Sequence, residues 1–158
     1  MKKEQIEKLK EKTLKLSIKE GAAASVMSGF TDSYVTPFAL TLNANNAQIG
    51  MLSSFSSLLA PLSQILGSRL MEKYSRKRII TIGVTLHALM LLPFIILALF
   101  FWKNIFASHL ATVLIISYTL YAVLGAIGGP AWFSLLGDIV PEKIRGKYFG
   151  RRNKICGA

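Results

Sequence analysis

Three groups of residues in this chain could do chemistry. Asp32 is the one acid placed deep in a candidate membrane span, the least apolar of the four, with Thr31, Ser33, Tyr34 and Thr36 beside it in sequence. An ionised Asp at the centre of a membrane helix costs roughly 2.5 to 3.5 kcal/mol, so it belongs in a bundle interior or water-filled cavity, where it could hold a proton or a polar solute. The other two groups are basic. Residues 69–78 carry Arg69, Lys73, Arg76, Lys77 and Arg78 around Glu72, and residues 143–154 carry six Lys and Arg just beyond Asp138. Charges of both signs at such places can set topology or pair with one another. His87 and His109 stand 22 positions apart with no ligand spacing to Cys or acids, so no metal site is expected. No Gly-rich loop precedes a Lys-Ser/Thr pair and no Ser-His-Asp arrangement is visible, so neither catalysis nor a cofactor is expected.

The elements that must hold these residues follow from composition. Apolar residues make up 52% of the 158 and charged ones 17%, and the charges are confined to clusters. A soluble helix needs a wet face all along its length. Between Ile79 and Trp102 the one titratable group is His87. This predicts an all-α, polytopic membrane protein with spans at about 21–42, 49–70, 79–101 and 106–136. At about 1.5 Å per residue, residues 79–101 reach ~35 Å, enough to cross the hydrocarbon with some tilt.

The net charge of +11 invites a nucleic-acid reading, but its distribution points to a lipid bilayer as partner. Seven of the 19 Lys and Arg precede Gly21, five lie within 69–78, six within 143–154, and Lys103 stands alone. Basic clusters on alternate connections are the pattern of the positive-inside rule. They place the N-terminus, a tight loop at 67–78 and a loop at 137–154 in the cytoplasm of a multi-pass cell-membrane protein. The Asn-rich turn at 43–46 and the turn at Trp102, Lys103 and Asn104 then lie outside. No secretory signal is expected, because no cleavage site follows a short apolar core. The single Cys156 cannot form an internal disulfide.

Residues 1–20 read as a basic cytoplasmic helix or tail, with Glu4–Lys8 and Glu11–Lys15 pairs at helical spacing and Ile6, Leu9 and Leu16 on one face. Ser53, Ser54, Ser56, Ser57 and Ala60 supply small residues for close packing of the second span. Each span holds one proline (Pro37, Pro61, Pro93 and Pro130), so kinked packing is expected. Residues 155–158 read as the start of a fifth span, so the chain is expected to be a piece of a longer protein.

Two motifs carry a resemblance. Ser68, Glu72, Lys73, Ser75 and Arg76 to Arg78 resemble the loop between the second and third helices of the major facilitator superfamily, which reads Gly, three residues, Asp, Arg, one residue, Gly, Arg. Here Ser replaces both glycines, Glu replaces Asp and Lys the first Arg. Pro130, Asp138, Pro141, Arg145 and Gly146 are similar to the end of that family's fourth helix and the loop that follows. The resemblance covers residues 21–158 and implies the first four helices, with the start of the fifth, of a six-helix N-terminal half.

It also implies a secondary active transporter of a small solute working by alternating access, with a missing C-terminal half as partner. Carried over by position, Glu72, Lys73, Arg76, Asp138 and Arg145 would form a cytoplasmic latch, Arg76 pairing with Asp138. Asp32, Thr31, Tyr34 and Thr36 are the candidates for a substrate or proton site. Family members that exchange protons for drugs often carry an Arg in mid fourth helix; Tyr118 and Tyr121 occupy that region here, which weakens a proton-antiport assignment. The competing expectation is a self-contained four-helix membrane scaffold or regulatory subunit with no transport activity.

Overall fold

The computed structural model describes residues 2–106 and 108–157, and all of their side chains except those of residues 2–4 and 6. The Glu4 side chain of the proposed Glu4–Lys8 pair and the Ile6 side chain therefore lie outside what is described, as does Ala158. Seven helices follow one another: α1 (Lys2–Thr41), α2 (Asn46–Lys73), α3 (Arg76–Leu89), α4 (Leu91–Trp102), α5 (Leu110–Ile127), α6 (Gly129–Ile139) and α7 (Glu142–Cys156). Among the described residues there is no strand. The protein is all-α.

Three stretches are long and apolar enough to cross a membrane: Asn46–Lys73, Arg76–Trp102 and Leu110–Ile139. Their large apolar side chains stay largely exposed, Leu58, Ile65, Ile95 and Ile116 among them. Exposed apolar surface on this scale needs lipid or other helices to cover it. The expected first span at 21–42 is the distal half of α1 and falls outside this set. Ser25, Ser28, Thr31, Asp32, Ser33, Tyr34 and Thr36 lower its hydropathy. The hydroxyls of Ser25, Ser28 and Thr31 are nevertheless satisfied within the helix, donating to the carbonyls of Gly21, Ala24 and Met27 at 2.8 to 3.0 Å, which lowers the cost of placing them among apolar neighbours.

The four prolines behave in two ways. Pro37 and Pro61 sit inside unbroken α1 and α2. Near Pro93 and Pro130, by contrast, the expected third and fourth spans each divide, at Met90 and at Gly128. A proline N cannot donate to the carbonyl four residues back, which frees Leu89 and Ala126. At the first break Met90 N–H bridges the carbonyls of Leu86 and His87, both at 3.2 Å. The fourth span also begins later than expected, at Leu110, because Phe106 (φ 54°) has left the helical region, and His109 holds the N-cap position without a side-chain capping bond.

Turns on the other connections are built alike. After α1, Asn43 N–H donates to Leu40 and Ala44 N–H to Ala39; after α4, Asn104 N–H donates to Phe101 and Ile105 N–H to Phe100. Each is a Schellman stop, with Asn43 (φ 59°) and Asn104 (φ 53°) in the left-handed conformation that Asn tolerates. Asn45 then opens α2 with a capping box, its side chain accepting from Gln48 N–H while Gln48 Oε1 accepts from Asn45 N–H, both at 2.9 Å.

The chain divides into two compact units, one of residues 34–134 and one of residues 1–33 with 135–158. In the first unit α5 lies against α2, α3 and α4. A stripe on α2, Leu52, Ser63 and Gly67, is buried, and Ser63 Oγ donates across to the carbonyl of Val123 at 3.1 Å. Gly67 lets the two backbones meet, since a Cβ there would run into the Ile127 carbonyl. Of the small residues expected to pack, Ser56 is half-buried while Ser53, Ser54 and Ser57 stay exposed. Val35, Ala39 and Leu42 close one end of this unit with Leu52, Leu97, Leu110 and Leu114.

In the second unit the expected loop at 137–154 is mostly helical. Ile155 and Cys156, expected to begin a fifth span, form the last turn of α7, which Gly157 (φ 73°) ends. This helix packs on the N-terminal part of α1. Tyr148 Oη donates to the Leu14 carbonyl at 3.2 Å, Arg152 approaches Glu20 at 4.0 Å, and Gly21 makes room for the side chains of Arg152 and Cys156.

Candidate functional site

The charged residues of the two motifs gather at helix ends. Where residues 67–78 were expected to form a loop, α2 continues to Lys73 and α3 starts at Arg76. Only Tyr74 and Ser75 are extended, with ψ of 152° and 140°. The α2 helix runs three residues beyond the span expected to end at 70, because a basic last turn with Lys73 suits the carbonyl end of a helix. The two-residue turn brings Glu72, Lys73 and Arg76 onto one junction. Glu72 and Lys73 are exposed there and Arg76 is half-buried.

The junction of α6 and α7 is built by the same means. Asp138 is exposed in the last turn of α6, and Pro141 (φ −57°, ψ 140°) sets the entry to α7. Arg145, in the first turn of α7, reaches back so that its Nη2 donates to the Gly137 carbonyl at 2.9 Å. A guanidinium on a C-terminal carbonyl satisfies an orphan acceptor and opposes the negative end of the helix dipole. Arg145 thus fastens α7 to the end of the helix that carries Asp138.

Asp32 is exposed in α1. Thr31 is half-buried with its hydroxyl donated to Met27, and Tyr34 is 62% exposed.

One cluster had no signal in the spacing of residues. In the interior of the 34–134 unit the His87 ring lies 4.1 Å from that of Tyr121, with Tyr118 stacked at 6.0 Å and Phe94 edge-on at 5.9 Å. Tyr121 is only 3% exposed. Gly125, one turn after Tyr121, leaves space for the imidazole, because a Cβ there would come within 2.8 Å of His87 Nε2. His87 and Tyr121 were each visible in the sequence, but 34 positions separate them and only the α3–α5 packing joins them. Among the described residues no group of three or more His, Cys, Asp or Glu could hold a metal ion.

Comparison with known families decides what kind of protein carries these junctions. The sequence profile of the Major Facilitator Superfamily matches residues 21–153. The chain belongs to that superfamily. It is accordingly a multi-pass membrane protein of a transporter class. The superfamily match takes in both charged junctions, the distal half of α1 with Asp32, and the His87–Tyr121 cluster. No curated protein and no solved structure matches the chain.

Proposed function

We propose that this protein moves a small solute across the cell membrane by secondary active transport, its N-terminus cytoplasmic and its helices rocking between outward-open and inward-open states. The residue 21–42 half of α1 acts as a fourth span in this reading, residues 1–20 as a cytoplasmic lead-in, and a second, C-terminal half as the partner against which the helices move. The observation that carries it is the pair of short helix junctions, one bearing Glu72, Lys73 and Arg76, the other bearing Asp138 with Arg145 anchored on Gly137.

Junctions of this build suit a latch. Each presents charge at a rigid helix end, so a pairing of Arg76 with Asp138 would be made or lost as a whole when the helices rock, and charge-assisted contacts supply enough energy to bias two states. Asp32, with Thr31, Tyr34 and Thr36 near it in sequence, is the proposed substrate or proton site. An acid in a span is costly unless water or a ligand reaches it.

The test reads access and needs no knowledge of the solute. In a Cys156→Ser background of the full-length protein, Thr36→Cys reports how fast an impermeant maleimide arrives from the cytoplasmic side. Arg76→Asp and Asp138→Arg should each raise that rate about fivefold, the effect of losing a coupling of ~1 kcal/mol. The double reversal should bring it back. Rates that do not respond to any of the three would favour a rigid scaffold, and additive increases would remove the pairing.

A further inference from the structure

A groove of about 360 Å³ runs along the outside of the α2–α3 junction in the 34–134 unit. Leu70 and Tyr74 of the α2 end form one wall, Ile82 and Leu86 of α3 and Leu124 of α5 form the trough, and Arg78 stands at its mouth. Gly83 also lines it, and a Cβ there would lie 3.7 Å from Gly128 Cα, so α3 comes close to the end of α5 at this point. The Arg78 guanidinium carbon sits 5.7 Å from the centre of the Tyr74 ring, a cation–π placement that holds the charge over the trough's upper end.

From these features we infer that the groove is a binding site for one anionic glycerophospholipid, its phosphate on Arg78 beside Tyr74 and an acyl chain along Ile82, Leu86 and Leu124. The polarity changes along the groove in the order that a lipid requires. From Arg78 to Leu86 the helix rises about 12 Å, passing from a guanidinium to wholly apolar side chains. Arg78 lies beside the turn that joins two apolar stretches, Asn46–Lys73 and Arg76–Trp102, where the headgroup of a lipid beside those spans would sit. Charge complementarity fixes the sign of the occupant: residues 69–78 hold five basic residues against the single acid Glu72, and basic pockets between membrane helices select anionic headgroups. A water-soluble anion would gain nothing from the apolar trough. A helix from a second copy would have to bring an acid to Arg78.

Native mass spectrometry of the detergent-purified protein, titrated with phosphatidylglycerol and with phosphatidylcholine, tests the assignment. Phosphatidylglycerol should bind more tightly, and Arg78→Gln should weaken it about fivefold, as expected for one charge at an anionic headgroup. Arg78→Lys, which keeps the charge, should retain most of the binding, and Ile82→Trp, which fills the trough, should weaken both lipids. Lys103→Gln, at a different turn, should change nothing. Equal binding of the two lipids, an unaltered affinity in both Arg78→Gln and Ile82→Trp, displacement by inorganic phosphate alone, or a crosslinked dimer that covers Ile82 would each overturn the lipid assignment. Unchanged thermal midpoints in the variants keep loss of binding distinct from loss of fold.

Discussion

Gly67 and Gly50 show how one residue type carries different weight in one helix. Both are in α2, but a Cβ on Gly67 would meet the Ile127 carbonyl, whereas nothing lies within 4 Å of one on Gly50. Backbone cannot move aside as a flexible side chain can. Gly67→Ala should therefore destabilise the protein by about 1 to 3 kcal/mol, the usual cost of overpacking a close contact, seen as a lower thermal midpoint in detergent. Gly50→Ala should leave the midpoint unchanged or raise it slightly, since Ala exceeds Gly in helix propensity by up to ~1 kcal/mol. Equal losses in the two would mean that the α2–α5 approach is not set by Gly67. At this scale the sequence was informative about chemistry and poor about contact. Ser53, Ser54 and Ser57 were expected to pack and Ser63 was not singled out, yet Ser63 is the buried one, and only the rotation of α2 about its axis distinguishes them.

Helix ends decide more than helix interiors here. Asn45 begins α2 with both bonds of a capping box, and the chain reaches it from the left-handed Asn43. Asn45→Ala removes one of those bonds and should cost about 1 kcal/mol, again read as a thermal midpoint, while Asn45→Ser should recover most of it. A midpoint that is indifferent to Asn45→Ala would mean that α2 is held by packing alone. The polar turns at 43–46 and 102–104 were legible because Asn, Lys and Trp interrupt long apolar runs. The extents of 67–78 and 137–154 were not. Basic residues are good helix formers, so their clustering marks where the chain leaves the apolar layer without marking where its helices stop. The α2 helix runs on through Lys73, and α7 occupies 142–156 as a helix that Tyr148 and Arg152 fasten to α1.

At the scale of the whole molecule, topology decides which helix ends face the cytoplasm. Three stretches have the length and hydropathy to cross, and α1 from Gly21 is the candidate fourth. With Cys156→Ser as background, Gln5→Cys, Asn45→Cys, Ser75→Cys and Lys103→Cys report sidedness to an impermeant maleimide in intact cells. If 21–42 crosses, Asn45→Cys and Lys103→Cys should label from outside and Gln5→Cys and Ser75→Cys only after permeabilisation. Labelling of Gln5→Cys from outside would show that α1 does not cross.

The membrane class was determined by the sequence alone, because an apolar run such as 79–101 with no fixed charge has no stable place in water, and because lysines and arginines sort to one side of a bilayer whatever they later touch. The two charged motifs were likewise readable, since their spacing along the chain is itself the signature. What the tertiary structure decided is who faces whom. It set His87 on Tyr121 and opened room for that ring at Gly125, it brought Gly67 against the Ile127 carbonyl, and it turned Arg145 back onto Gly137. Each of these depends on the rotation and close approach of packed helices, and uniformly apolar spans carry too little periodicity to specify which of their faces is turned inward.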